Sequence, residues 1–140
     1  MADDKRNGLL YVACRRGRPR QLLSPAELRP FVDSHLQADG APWFDWNIVS
    51  SQKLALRGLR RALPQLALVE LDTAHQRVEF CSALRERAPS LKIVALGAGR
   101  EFDSGAVDAV LCLPVDTQQV MACILRLLDH AAGASTVLHV

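Results

Sequence analysis

The chain has little that could carry covalent or metal chemistry. Its four cysteines, Cys14, Cys81, Cys112 and Cys123, are far apart and form no C-x-x-C pair. That spacing excludes the common redox and zinc motifs and reads as buried or half-buried thiols. The four histidines, His35, His75, His130 and His139, show no ligand spacing either. Structural and catalytic zinc sites need clustered ligands, so neither a metal nor a cofactor is expected. No apolar run approaches the roughly 20 residues that a bilayer span requires. The first residues, MADDKR, lack the apolar stretch of a secretory signal, so the expected location is cytoplasmic with no membrane contact. A net charge of only +2 leaves no strongly basic footprint over the whole molecule.

What is present is a soluble, globular composition, 49% hydrophobic and 23% charged, in 140 residues, the usual size of one domain. Charge is uneven: residues 1–63 carry eleven of the 17 Lys and Arg, whereas residues 64–140 carry nine of the 15 acids. Short apolar runs at residues 9–13, 46–50, 66–71, 92–96 and 109–113 read as strands buried on both faces. Amphipathic stretches follow most of them. Ser24, Pro25 and Glu27 form a strong start for a helix reaching residue 38, with Pro30 a kink near its beginning. Ser51 caps a helix to residue 63 whose apolar stripe is Leu54, Leu56, Leu59 and Leu63. Residues 75–87 bury Val78, Cys81 and Leu84 or their neighbours. Residues 117–130 turn Val120, Met121, Ile124, Leu127 and Leu128 inward. Helical crossovers between short buried strands imply a parallel sheet covered on both faces, an α/β three-layer sandwich. The domain is expected over residues 1–130, with residues 131–140 a frayed tail or a linker to a following output domain.

Residues 45–128 resemble the receiver domain of response regulators. The segment Pro64-Gln65-Leu66-Ala67-Leu68-Val69-Glu70-Leu71 is similar to the family's third strand. VEFCSALRERAPSLKIVALGA, residues 78–98, resembles its third helix and fourth strand. Residues 107–114, VDAVLCLP, resemble its fifth strand and the proline after it. The resemblance implies a flavodoxin-like five-stranded parallel sheet of order 2-1-3-4-5. The stretch from Gly97 to Leu113 is several residues shorter than in the family, which implies a shortened fourth helix. The connection after the first strand is several residues longer and is rich in arginine.

The resemblance also locates a phosphorylation site that this chain has lost. Receivers hold Mg²⁺ with two acids after the first strand, because that ion takes hard carboxylate oxygens. A nucleophilic Asp ends the third strand, a Ser or Thr the fourth, and a Lys the fifth, where fixed positive groups meet the phosphoryl charge. The matching positions here are Ala13, Cys14, Glu70, Gly97 and Leu113, and none keeps the family residue. The implied function is therefore a phosphorylation-independent pseudo-receiver with no catalytic residue. It would act through a protein partner or as a homodimer formed by the last strand and helix, beside apolar area at Val115 and Val120. The chain is similar to atypical receivers at the N-terminus of bacterial sigma-54 enhancer-binding regulators of biofilm and flagella, which implies a role in signal transduction and transcription regulation.

Two sharper readings concern the basic loop. Glu70 could pair with Arg15 or Arg16 as a fixed mimic of the phosphorylated state, against a drifted and solvated Glu70. Arg15, Arg16, Arg18 and Arg20 could grip an anionic ligand such as a cyclic dinucleotide at the carboxyl edge of the sheet. A stand-alone scaffold in a larger assembly is a further alternative. Direct nucleic-acid binding is not expected, since the loop lacks a recognition helix and interleaved aromatics. Trp43 and Trp46 read as packing residues, and Gly97-Ala98-Gly99 as a loop and not a dinucleotide motif.

Overall fold

The alternation of buried strand and amphipathic helix resolves, in a computed structural model, into one parallel sheet with helices on both faces. Residues 7–13, 25–38, 44–60, 63–71, 73–97, 107–112, 115–129 and 138–139 are described. The strands are β1 (Asn7–Ala13), β2 (Phe44–Val49), β3 (Leu66–Glu70), β4 (Lys92–Leu96), β5 (Ala109–Leu111) and β6 (Leu138–His139). The helices are α1 (Pro25–Ala38), α2 (Gln52–Gly58), α3 (Ala74–Arg87) and α4 (Thr117–Asp129). The sheet order is β2-β1-β3-β4-β5-β6, so the expected 2-1-3-4-5 arrangement is present with one strand added. All five strand pairs are parallel.

β6 was not foreseen in the segment read as a frayed tail. Two residues are too few to show a period, and they become a strand only because β5 offers an open edge, with Ala109 beside Leu138. The short fourth helix expected after Gly97 falls at residues 98–106, outside the described residues.

The pleat divides the core in two. Leu9, Tyr11, Leu66, Leu68, Val94 and Leu96 face α1 and α4, whose Leu28, Val32, Leu36, Val120, Ile124 and Leu127 complete one cluster. Leu10, Val12, Ala67, Val69, Ile93 and Ala95 face α2 and α3, which contribute Ala55, Leu59, Phe80, Cys81 and Leu84. Strands buried on both faces must be apolar at every position, which is why they read as continuous runs and not as alternations. In α1, Leu28, Val32 and Leu36 repeat at four-residue spacing on the buried side. Pro30 lies on the exposed side, and the helix runs on past it.

Local signals set the helix boundaries. Thr73 and Gln76 form a reciprocal capping box at the start of α3. Ser51 accepts from the Leu54 amide at 3.3 Å and opens α2. α2 then ends at Gly58, five residues before the expected Leu63. Its phase turns Ala55 and Leu59 to the sheet, leaving Leu54 at 48% and Leu63 at 59% exposure, so two of the four expected stripe residues are not core. In α3 the buried set is Arg77, Phe80, Cys81 and Leu84, with Val78 only half-buried.

The amino edge of the sheet is tied by a polar clamp. Arg85 on α3 donates to the Pro89 and Leu91 carbonyls at 3.0 and 2.7 Å and pairs with Asp108 at 2.7 Å. Asp108 also accepts from the Ile93 amide at 2.8 Å, joining the entries to β4 and β5. Nearby, Gly8 lets β1 approach the turn before β3: a Cβ there would sit 3.1 Å from Pro64 Cα, and the Gln65 amide donates to the Gly8 carbonyl at 2.9 Å.

Candidate functional site

In open parallel sheets, ligands and chemistry gather beyond the carboxyl ends of the strands. Here that edge is formed by the ends of β1, β3, β4 and β5. Ala13, Glu70 and Gly97 are placed there by strand pairing, with Ala13 directly opposite Glu70. Cys14, Leu113, Arg15, Arg16, Arg18 and Arg20 lie outside the described residues.

Glu70 is the unusual residue. It ends a strand buried at all five positions, and its own exposure is 0%. Register puts its side chain on the same face as Tyr11 and Ala13, toward α1 and α4. The Tyr11 hydroxyl, also at 0% exposure, donates a hydrogen bond to Glu70 Oε2. Tyr11 pairs with Leu68, one pleat back from the edge, so the carboxyl is folded inward and does not stand out over the strand ends. Glu70 is therefore not solvated, and its expected pairing with Arg15 or Arg16 falls on residues outside those described. Burying a carboxyl costs several kcal/mol unless polar partners meet it, so the phenol hydroxyl is part of what makes the position tenable.

Gly97 ends β4 with φ of 67°, the one positive φ among the described residues. Its amide donates to the Leu111 carbonyl at 2.8 Å, tying β4 to β5. The glycine is therefore required by backbone conformation, since a side chain in the left-handed region costs about 1–2 kcal/mol. A hydroxyl-bearing residue at this position would strain the turn.

Ala13 is half-buried and touches the α1–α4 cluster, offering no oxygen ligand. Cys112, beside β5, is exposed. Arg77 was missed by sequence reasoning. It is 7% exposed on the first turn of α3, and its Nη1 donates to the Leu71 carbonyl at 2.9 Å. The guanidinium thus closes the end of β3. The signal that could have found it is its distance of one helical turn from the Thr73 cap, which aims it back at the preceding strand. Tyr11, the chain's only tyrosine, was read merely as part of an apolar strand.

Val115 and Val120 are themselves buried, at 4% and 0% exposure, with α4 packed against α1 and the sheet; the segment at residues 98–106 that would expose apolar area beside them lies outside the described residues. Trp46 is a packing residue, as expected. Its Nε1 donates to Asp33 Oδ1 at 2.9 Å, and its ring meets Phe44 edge-on at 6.2 Å. Among the described residues no helix is long and apolar enough to cross a membrane.

No family model matches the chain, and no curated protein matches it. Among solved structures, it is similar to a protein assigned as a response regulator from Chloroflexus aurantiacus J-10-fl, with 17% identity and a TM-score of 0.58. The match covers 89% of this chain and 99% of that one. Identity at this level speaks to architecture alone: the chain has an α/β, receiver-like fold.

Proposed function

We propose that the chain is a pseudo-receiver, a regulatory domain that signals without aspartyl phosphorylation and works by contact with other proteins. The observation that carries this reading is the inward fold of Glu70, at 0% exposure and held by Tyr11. Phosphoryl transfer needs an accessible nucleophile in line with the donor, and a metal to neutralise the developing charge. Glu70 offers no surface to a donor, Ala13 offers no metal ligand, and the backbone at Gly97 favours a residue without a hydroxyl. The reading assigns the domain no catalytic activity. Self-association through α4 belongs to it as well, β6 covering the edge of β5, with the half-buried Leu125 and Leu128 on that helix as candidate contacts.

The test is incubation with acetyl phosphate and Mg²⁺, followed by intact-mass measurement beside an ordinary receiver. The expected result is no added phosphoryl mass and no shift in melting temperature. A phosphoryl adduct on this chain refutes the proposal.

A further inference from the structure

We propose that the groove between α2 and β2 is a docking site for an acidic, amphipathic peptide segment of a partner protein. The inference goes beyond the reading of the carboxyl edge. It uses other residues, and it would stand even if Glu70 accepted a phosphoryl group.

The groove has a volume of about 810 Å³, within the range of binding clefts. The large hydrophobic side chains exposed among the described residues are Ile48 at 41%, Leu54 at 48% and Leu63 at 59%. Leu54 and Leu63 line the groove itself, whereas Ile48 shares the Trp46 face of β2 and lies outside it. Apolar area gathered at one place marks association. The rim is basic. Arg57 and Arg60 line it, and Lys53 precedes Leu54, so three exposed cations lie on α2 and the turn after it at four- and three-residue spacing. An occupant that covers leucines and meets these cations needs aliphatic residues flanked by acids. β2 is also the outermost strand among the described residues, and its outer row of amides and carbonyls could hold an extended segment by main-chain hydrogen bonds.

The same geometry disfavours a nucleotide. The Trp46 indole turns to the α1 side to bond Asp33, so it gives no stacking face in the groove. Arg57 and Arg60 are both exposed and form no enclosed cradle for a phosphate, whereas exposed cations at the rim suffice for carboxylates that flank the groove and stay clear of Asp45.

The experiment is selection of a random peptide library displayed on phage against the full chain. Affinities of the enriched peptides are then measured for the parent chain and for variants. Enriched peptides should combine aliphatic residues with Asp or Glu. Their affinity should fall about tenfold or more in the Arg57→Glu/Arg60→Glu variant and in Leu54→Glu. These residues are exposed, so the variants should melt like the parent. Arg126→Glu, on exposed α4 surface, should bind as the parent does. Amide shifts on peptide addition should map to α2, β2 and residues 63–64. Enrichment of neutral or basic peptides, no enrichment, or binding indifferent to the reversals overturns the proposal. So does displacement of the peptide by single-stranded DNA or by anionic vesicles with the same dependence on Arg57 and Arg60.

Discussion

Replacing Tyr11 by Phe removes one oxygen atom and leaves the ring in place, so it withdraws the hydrogen bond to Glu70 with little change in packing. Both side chains are at 0% exposure, and water cannot take the place of the lost donor without opening the α1–α4 core. A hydrogen bond to a buried carboxyl contributes about 1–3 kcal/mol, the upper end applying when the acceptor is charged. For a domain of this size each kcal/mol moves the melting temperature by about 3–5 °C. Tyr11→Phe is therefore expected to lower stability by about 2 kcal/mol, read in urea as an earlier midpoint with an unchanged slope. Glu70→Leu should also destabilise, because it withdraws the acceptor from a buried hydroxyl. The double variant Tyr11→Phe/Glu70→Leu should lose clearly less than the two singles added together, since replacing both buried partners by apolar groups can be close to neutral. If Tyr11→Phe shifts stability by less than about 0.5 kcal/mol, or if the double variant is strictly additive, the two groups do not depend on each other and the reasoning about the site fails.

Gly97→Ala should cost about 1–2 kcal/mol in the same urea assay, because φ of 67° places a side chain in the left-handed region. Gly97→Ser should cost about as much and confer no phosphorylation in acetyl phosphate. Asp108→Ala removes the partner of Arg85 and the acceptor for the Ile93 amide, and a loss of about 2–4 kcal/mol is expected by calorimetric or urea unfolding. Burial pushes the Cys123 thiol up from its ordinary 9.0 to about 11. Above pH 9 the unfolded chain gives up this proton and the folded chain keeps it, so stability should fall as pH rises from about 9 to about 11. Cys123→Ala should flatten that part of the profile.

The architecture was readable because it is written in long-range patterns. Five apolar runs with helical stretches between them leave few arrangements open, and a cap such as Ser51 is local enough to mark a helix start. α2 was read too long because leucines at 54, 56, 59 and 63 continue a periodic pattern beyond the point where the backbone ends the helix. β6 escaped because two residues carry no period. The candidate site was legible as a set of absences, but not as a structure. Nothing in the string distinguishes a Glu70 turned outward from one turned inward. That choice depends on register, which sets Ala13 beside Glu70 and puts Tyr11 on the same face. The conformational demand at Gly97 was likewise invisible: a glycine where a family has a hydroxyl reads as loss until φ is known.

The clamp of Arg85 and Asp108 holds the opposite end of the sheet from Glu70 and Gly97. Much of the polar fastening between α3, β4 and β5 is thus physically remote from the place where receivers do chemistry. Substitutions at the carboxyl edge leave those joints untouched, whereas a change at Arg85 or Asp108 loosens α3, β4 and β5 together.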